Sequence, residues 1–242
     1  MIDLYFGTWK LEPSYGKVKD ITETERMIDF SVEKGLLAFD TASVYCKGEI
    51  EKILGKYSNM NLNVITKIPA NTKLKWNEKH DACQLYPSEW IREIIMKSTE
   101  NLGRNDYTLL LHNYSSIWNN IDEVIDDILT YKKQGYFDKL GVSIPNGYSG
   151  KITEEVVKKI DVVEAPFNPQ NHWIDGNLSR LNNKEVVLRS VLSNYNKIDD
   201  MKIKKVLDRS TKISNHIIIG MTKRNQIMQN LEIINSKGIN YE

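Results

Sequence analysis

Three polar residues, Asp40, Lys67 and His112, each stand at the end of a short apolar run in the sequence. Such runs predict buried strands, so we expect the three side chains at strand ends. Tyr45 follows Asp40 by five residues, just before Gly48 and a segment with helical spacing. In an α/β barrel, this end of the strands is where catalytic groups lie.

The four residue types suit proton transfer to a carbonyl group. A buried lysine needs a partner for its charge, and Asp40 on the neighbouring strand can supply one to Lys67. A cation beside Tyr45 would lower the pKa of its hydroxyl from about 10, so that the phenol could donate a proton near neutral pH. His112 could hold the accepting oxygen in place by a hydrogen bond. Without further information, a buried polar network with no catalytic role is an equal alternative.

Strand and helix patterns alternate along the whole chain. Apolar runs predict eight parallel strands, at residues 4–6, 36–39, 62–67, 107–112, 140–143, 162–165, 186–189 and 216–219. Helical spacing predicts helices at residues 22–33, 49–56, 88–103, 121–131, 153–159, 201–213 and 224–234, with Thr22 and Ser88 as N-caps. We interpret this as eight strand–helix units that close into a (β/α)8 TIM barrel. No linker or shift in composition interrupts residues 1–242, which predicts a single domain.

Composition argues against several classes of function. The 242 residues include 33 Lys and Arg against 32 Asp and Glu, so no basic surface for nucleic acid is expected. No apolar stretch is long enough to span a membrane, and no signal peptide is recognisable. Cys46 and Cys83 lack metal or disulfide spacing, which favours a cytoplasmic setting. The histidines His80, His172 and His216 also lack ligand spacing, so no metal site is expected.

Short motifs occur in one order along nearly the whole chain. They are Gly7-Thr8-Trp9, Phe39-Asp40-Thr41-Ala42 with Tyr45, Gly48 with Glu51, Leu54 and Gly55, Val64-Ile65-Thr66-Lys67, Leu109-Leu110-Leu111-His112-Asn113, Leu140-Gly141-Val142-Ser143, Pro166-Phe167-Asn168, and Ile219-Gly220 with Gln226, Asn230 and Leu231. Together they resemble the aldo-keto reductase superfamily. The run from Arg189 through Ser190 and Val191 to Leu192 further resembles a bacterial branch found with surface-polysaccharide biosynthesis genes.

The resemblance implies an NAD(P)H-dependent oxidoreductase that reduces an aldehyde or ketone, for example a sugar-derived one, to an alcohol by hydride transfer. Tyr45 would donate the proton, Lys67 held by Asp40 would tune its pKa, and His112 would orient the carbonyl. The cofactor would be NADPH, with NADH as the alternative, bound by Gly7, Thr8, Asp40, Ser143, Glu164, Arg189, Ser190, Leu192, Gly220, Met221, Thr222, Gln226 and Asn230. The small carbonyl substrate would contact Trp9, Tyr45, Trp76, His112 and Trp173.

Some positions depart from the family pattern. Ile144 and Glu164 stand where the family commonly has Asn and Gln for the nicotinamide carboxamide. Glu164 can accept a hydrogen bond from that amide but cannot donate one. Arg189 replaces a frequent aromatic residue, and its guanidinium plane could also stack on the nicotinamide. Gly220 and Gln226 replace basic residues that often bind the 2′-phosphate of NADPH, which keeps NADH open.

Two other functions stay open at this stage. The chain could be a nucleotide-binding barrel with a regulatory or interaction role and weak or no catalysis. The brief segment 193–200 after strand seven and the altered carboxamide residues motivate that alternative. A Schiff-base enzyme that uses Lys67 is a third hypothesis. The sequence leaves the oligomeric state open.

Overall fold

Eight parallel strands form a closed barrel in chain order. The structure is a computed structural model that describes residues 2–15, 17–72, 75–181, 183–195 and 198–236. The strands are β1 (Asp3–Gly7), β2 (Ala38–Asp40), β3 (Asn63–Ile68), β4 (Thr108–Leu111), β5 (Lys139–Ser143), β6 (Val162–Pro166), β7 (Glu185–Arg189) and β8 (His216–Gly220). Each predicted strand overlaps an observed one, and β8 pairs with β1 to close the barrel. The predicted (β/α)8 fold is confirmed.

Helices cover the outside of the barrel between most of the strands. They are α1 (Ile21–Glu33), α2 (Glu49–Gly55), α3 (Ala82–Leu85), α4 (Ser88–Leu102), α5 (Ile121–Lys133), α6 (Glu154–Lys159), α7 (Asp200–Ser210) and α8 (Arg224–Asn235). The short helix α3 lies in a stretch that the sequence predicts as a loop. No helix among the described residues is long and apolar enough to cross a bilayer.

Two predicted N-caps are wrong, and one of the eight expected strand–helix units contains no α-helix in the part that the structure describes. The N-cap of α1 is Asp20, whose carboxylate accepts from the Glu23 amide at 2.9 Å, and not Thr22. Pro87 precedes α4, so Ser88 is already inside that helix. Between β6 and β7 the chain forms two 3-10 turns, Trp173–Gly176 and Leu178–Leu181, in place of an α-helix. Proline, glycine and several asparagines in this connection favour turns over a continuous helix.

The barrel interior explains why the polar residues converge. A buried apolar layer fills its middle, made of Tyr5, Ile65, Leu110, Val162, Val187 and Ile218. Along a strand every second side chain points to the same face. The residues two positions further along these strands, and along β2, therefore point inward above that layer. These are Gly7, Asp40, Lys67, His112, Glu164, Arg189 and Gly220.

Candidate active site

Lys67 lies at the centre of a group of buried charges above the apolar layer. Its ammonium forms an ion pair with Asp40 and donates a hydrogen bond to the Thr41 carbonyl at 2.9 Å. Its Nζ atom also lies 3.2 Å from Oε2 of Glu164. Lys67 is 2 % exposed and Glu164 is completely buried. The structure thus brings Lys67 and Asp40 together as expected, and it adds a second carboxylate at the lysine.

Glu164 connects the lysine to the rim of the barrel. Its Oε1 atom accepts from the Ser143 hydroxyl at 2.8 Å and lies 3.1 Å from Nε of Arg189. Arg189 also donates to the Ile144 carbonyl at 2.7 Å and to Oδ1 of Asn146 at 3.1 Å. Arg189 therefore joins the ends of β5, β6 and β7. Ser143, Glu164 and Arg189, which the sequence assigns to the cofactor, are bonded to one another.

Tyr45 faces the same cavity from a strained turn that follows β2. The turn spans Tyr45–Gly48, and Cys46 and Lys47 adopt φ angles of 48° and 56°. Gly48, at φ 91°, tolerates this left-handed region, whereas Cys46 and Lys47 adopt it at an energetic cost. The Tyr45 amide is fixed by the Ala42 carbonyl at 2.9 Å. Strain of this kind clusters at functional sites, which supports placing the chemistry at Tyr45.

The charges in the site shift one another's pKa values. Burial and the neighbouring Glu164 carboxylate raise the pKa of Asp40, although Lys67 opposes the shift. Burial alone would raise the pKa of Glu164, but the positive charges of Lys67 and Arg189 outweigh that effect and hold the pKa below its usual range. Burial disfavours the charged form of Lys67, but the carboxylates of Asp40 and Glu164 outweigh it and raise the lysine pKa. Lys67 is therefore fully protonated at neutral pH.

Tyr45 and His112 respond to this environment in opposite directions. Burial raises the pKa of Tyr45, and the opposing effect of Lys67 is smaller. The expectation that Lys67 lowers the phenol pKa below its ordinary value is therefore wrong for this structure. Burial, reinforced by the charge of Lys67, lowers the pKa of His112 to about 3. At neutral pH the site presents a neutral phenol and a neutral imidazole.

A cavity of about 560 Å³ opens at the carboxyl ends of the strands. Many of the residues that the sequence assigns to catalysis or binding line it. These are Gly7, Trp9, Asp40, Tyr45, Lys67, His112, Glu164, Arg189, Ser190, Leu192 and Gly220. A volume of this size lies within the range typical of small-molecule sites.

Two predicted substrate contacts lie elsewhere. Trp76 and Trp173 are absent from the described residues that line the cavity. Their rings pack against Tyr148, with centroid separations of 5.6 and 6.0 Å, and the Trp173 indole donates to the Gly150 carbonyl at 2.6 Å. An aromatic residue in a loop after a strand serves packing as readily as binding, so the sequence could not separate the two roles.

Several cavity residues are not predictable from the sequence motifs. Lys10, Val44 and Asn146 line it, and none carries a motif signal of its own. Val44 precedes Tyr45 and is 44 % exposed, while Trp9 is 46 % exposed. Its position next to Tyr45 is the signal that could have placed Val44 at the cavity rim with Trp9, which the sequence assigns to the substrate.

The remaining predicted cofactor residues are not among the described residues that line the cavity. Thr8 is buried and donates to the Asp40 carbonyl at 2.9 Å, and Met221 is 1 % exposed. Gln226 caps helix α8, because its Oε1 accepts from the amides of Thr222 at 2.9 Å and Lys223 at 3.2 Å. That role in the helix was not anticipated from the sequence.

One further buried acceptor lies in α8. Asn230 donates from Nδ2 to the Gln226 carbonyl at 2.9 Å. Its Oδ1 atom is buried and has no hydrogen-bond partner within the described part of the chain. Arg224, at the start of the same helix, lies over the Phe30 ring at 5.0 Å. The Asn230 oxygen thus has no partner among the described residues, whereas the Arg224 guanidinium contacts an aromatic ring.

Sequence comparison identifies the family of the chain. A family model described as "Aldo/keto reductase family" matches residues 3–199. The chain belongs to this family. The resemblance seen in the motifs is confirmed. Aldo-keto reductases generally use NAD(P)H and act on small carbonyl compounds.

Individual relatives agree with this assignment. The chain is 31 % identical over 141 residues to "Uncharacterized oxidoreductase YqkF" of Bacillus subtilis, a match that spans 57 % of this chain and 44 % of that protein. The fold resembles that of the holo form of the aldo-keto reductase AKR11C1 from Bacillus halodurans. That likeness has a TM-score of 0.71 at 17 % identity and covers 96 % of this chain and 86 % of the other. The aldo-keto reductase Tm1743, solved with the inhibitor epalrestat, gives a TM-score of 0.73 at 16 % identity, with 100 % and 92 % coverage.

Proposed function

We propose that this protein reduces an aldehyde or ketone to an alcohol, with a nicotinamide nucleotide as the hydride source and Tyr45 as the proton donor. The observation that carries the proposal is the convergence of Asp40, Tyr45, Lys67 and His112 on one cavity. They reach it from β2, the turn after β2, β3 and the end of β4. In a barrel enzyme, residues from several strand ends combine in this way to form the reacting centre.

The protein residues divide the chemistry among them. Tyr45 keeps its proton at neutral pH because burial raises its pKa, so its hydroxyl can donate to the carbonyl oxygen. The cation of Lys67 stabilises the phenolate that remains after the proton has left. His112 stays neutral, since burial lowers its pKa to about 3, and its ring N–H can donate a hydrogen bond to the same oxygen. Asp40 holds Lys67 in position.

The residues present fit a nicotinamide nucleotide, which supplies the hydride when bound. Gly7 and Gly220 are partners in the β1–β8 pairing, and the absence of side chains there lets a ligand approach the backbone closely. Glu164 Oε2 and Asn230 Oδ1 are buried acceptors without a hydrogen bond from the described residues. They could accept from a carboxamide and from an adenine amino group, respectively.

We propose NADPH as the nucleotide, with NADH as the alternative. Lys10 lies beside Gly220 and lines the cavity, which places one cation near that end of the site. Lys223 is exposed at the start of α8. Arg224 is exposed in the same region and lies over the Phe30 ring at 5.0 Å, so the proposed preference for NADPH rests mainly on the two lysines.

The rim of the cavity suits an amphipathic carbonyl compound. Trp9 and Val44 expose apolar surface there, while the floor carries the charged and polar groups described above. A sugar-derived aldehyde has both an apolar face and hydroxyl groups that match this division. The sugar-related substrate remains part of the proposal.

A titration with NADPH and NADH, followed by nucleotide fluorescence, tests the proposal together with turnover on a panel of aldehydes. We expect saturable binding and nucleotide oxidation. Replacing Tyr45 by Phe should preserve binding and lower turnover by about 10²–10⁴-fold. Tyr57→Phe is a matched control, since Tyr57 bonds Asp29 on the outer surface at 2.6 Å and should leave turnover unchanged. Normal turnover by Tyr45→Phe would show that another group donates the proton.

The same experiments separate the two alternative functions. Binding without turnover on any aldehyde would favour a regulatory barrel. The ion pair between Glu164 and Arg189 supports that alternative, because it engages two residues that were expected to contact the nicotinamide. Borohydride trapping of a carbonyl compound on Lys67 would favour a Schiff-base enzyme. Its raised pKa argues against that role, because a protonated amine is not a nucleophile.

A further inference from the structure

Three oxygen atoms lie close to the Lys67 ammonium, and two of them accept a hydrogen bond from it. A lysine ammonium has three N–H groups. Two are used by Asp40 and by the Thr41 carbonyl. The third has Oε2 of Glu164 as an oxygen neighbour, at 3.2 Å from Nζ. Glu164 is fixed where it stands, because Ser143 and Arg189 hold its other oxygen.

The Tyr45 hydroxyl is the other acceptor that Lys67 could serve. Tyr45 is 9 % exposed and lines the cavity with Lys67. No hydrogen bond joins Lys67 to the Tyr45 hydroxyl within the residues that the structure describes. Glu164 attracts the ammonium by an ion pair and does not accept its third N–H group, so that group is the one that could turn toward Tyr45.

We propose that Glu164 sets the pH range in which Tyr45 can donate its proton, by holding the Lys67 ammonium away from the tyrosine hydroxyl. Glu164 acts here as a positioning residue, through Lys67. A glutamine of the same shape would carry no charge to attract the ammonium. Lys67 would then be free to turn its third N–H toward Tyr45 and stabilise the phenolate.

The sign of the effect follows from the charges that face Tyr45. Four charged groups act on its hydroxyl, namely Asp40, Glu164, Lys67 and Arg189, while the neutral ring of His112 and the side chains of Glu12 and Lys10 line the same cavity. The negative charge of Glu164 raises the pKa of Tyr45, and that of Lys67 lowers it. In Glu164→Gln, the loss of the glutamate charge and the release of the Lys67 ammonium would both lower the pKa of Tyr45. The wild-type glutamate thus keeps Tyr45 protonated to a more alkaline pH.

The ionisation of Tyr45 can be measured without any turnover. The tyrosinate absorbance of the protein is titrated against pH, and the titration of the matching Tyr45→Phe variant is subtracted. We expect Glu164→Gln to lower the pKa of Tyr45 by about one unit or more. Glu164→Asp keeps the charge but retracts it from Lys67 by one methylene, so it should lower the pKa by a smaller amount.

Glu51 supplies the matched control. It is also a completely buried glutamate, and it accepts from Thr66, the neighbour of Lys67, at 2.7 Å and from Asn101 at 3.3 Å. It makes no ion pair with Lys67 among the described residues. Glu51→Gln should leave the pKa of Tyr45 unchanged. An equal shift in Glu51→Gln and Glu164→Gln would mean a general loss of packing and would overturn the proposal.

Two further outcomes decide it. An unchanged titration in Glu164→Gln would show that Glu164 does not control Tyr45. A shift in Glu164→Gln with none in Glu164→Asp would mean that charge alone acts, and the proposed hold of Glu164 on the Lys67 ammonium would be wrong. The consequence for turnover rests on the proposed reaction. In Glu164→Gln, the alkaline limb of the pH–rate profile should shift to lower pH by the same number of pH units as the pKa of Tyr45. If the titration shifts in a protein with no turnover, the proposed function fails and this inference stands.

Discussion

His112 carries no charge in the folded protein at neutral pH, and this makes stability depend on pH. Its folded-state pKa is about 3, whereas an unperturbed histidine has a value of 6.5. Between these two values the unfolded chain binds a proton that the folded protein does not. The free energy of unfolding therefore falls as the pH decreases below 6.5. The same neutrality lets His112 serve as a hydrogen-bond donor beside Lys67.

The prediction at this residue is that His112→Gln removes part of the acid sensitivity. The contribution of His112 should decrease by about 1–2 kcal/mol between pH 6.5 and pH 5, and the variant should lack it. Urea unfolding of both proteins at the two pH values measures the difference. The comparison must be between variant and wild type, because Asp40, with its raised pKa, acts in the opposite direction. Parallel losses in the two proteins would contradict the assignment of His112.

At the residue scale, the sequence predicted the groups and the Asp40–Lys67 pair, but not the contacts of Glu164. Asp40, Lys67 and His112 could be located because each ends an apolar run, and strand ends share one rim. The second carboxylate at Lys67 could not be predicted. It depends on the register of β5, β6 and β7 and on the reach of Arg189 across them, neither of which a single strand encodes.

Among the elements, β5 leaves no space for a side chain at Gly141. A Cβ atom there would collide with the Val162 carbonyl of β6 and would lie 2.6 Å from Cδ2 of Leu110 on β4. Gly141 therefore sets how closely β5 packs within the barrel wall. Ser143, two residues further on, reaches Glu164 from the same strand.

We predict that Gly141→Ala lowers the free energy of unfolding by about 1–3 kcal/mol, as overpacking of a core does. Gly176→Ala is the control, since a Cβ at Gly176 meets no atom of the described residues within 4 Å. That change should stay within about 0.5 kcal/mol of wild type. Urea unfolding measures both. A tolerated alanine at Gly141 would show that β5 and β6 can move apart.

Helix α1 gives a second test, because the sequence and the structure name different caps. Asp20→Ala should lose about 1 kcal/mol of stability, since the Asp20 carboxylate satisfies the Glu23 amide at 2.9 Å. Thr22 lies inside the helix, so Thr22→Ala should have little effect. Thermal or urea unfolding of the two variants distinguishes the caps. A larger loss for Thr22→Ala would restore the cap expected from the sequence.

For the whole molecule, the order of strands was enough to predict the barrel. Continuous apolar runs separated by helical segments have few other closed arrangements. The β6–β7 connection was the exception. Eight strand–helix units were expected, but residues 167–184 show no helical pattern and contain two 3-10 turns. The roles of Trp76 and Trp173 also depended on long-range packing. Both meet Tyr148, which is far from each in the sequence.

The bridging position of Arg189 has a consequence for ligand recognition as a whole. Its bonds to Ile144, Asn146 and Glu164 fix three strand ends relative to one another. The conformational entropy of that part of the rim is lost during folding and not when a ligand arrives. A preorganised site of this kind gains affinity because fewer side chains must be ordered upon binding. Ligands are then selected at this rim by how well their shape fits the fixed side chains, since the side chains move little to fit the ligand.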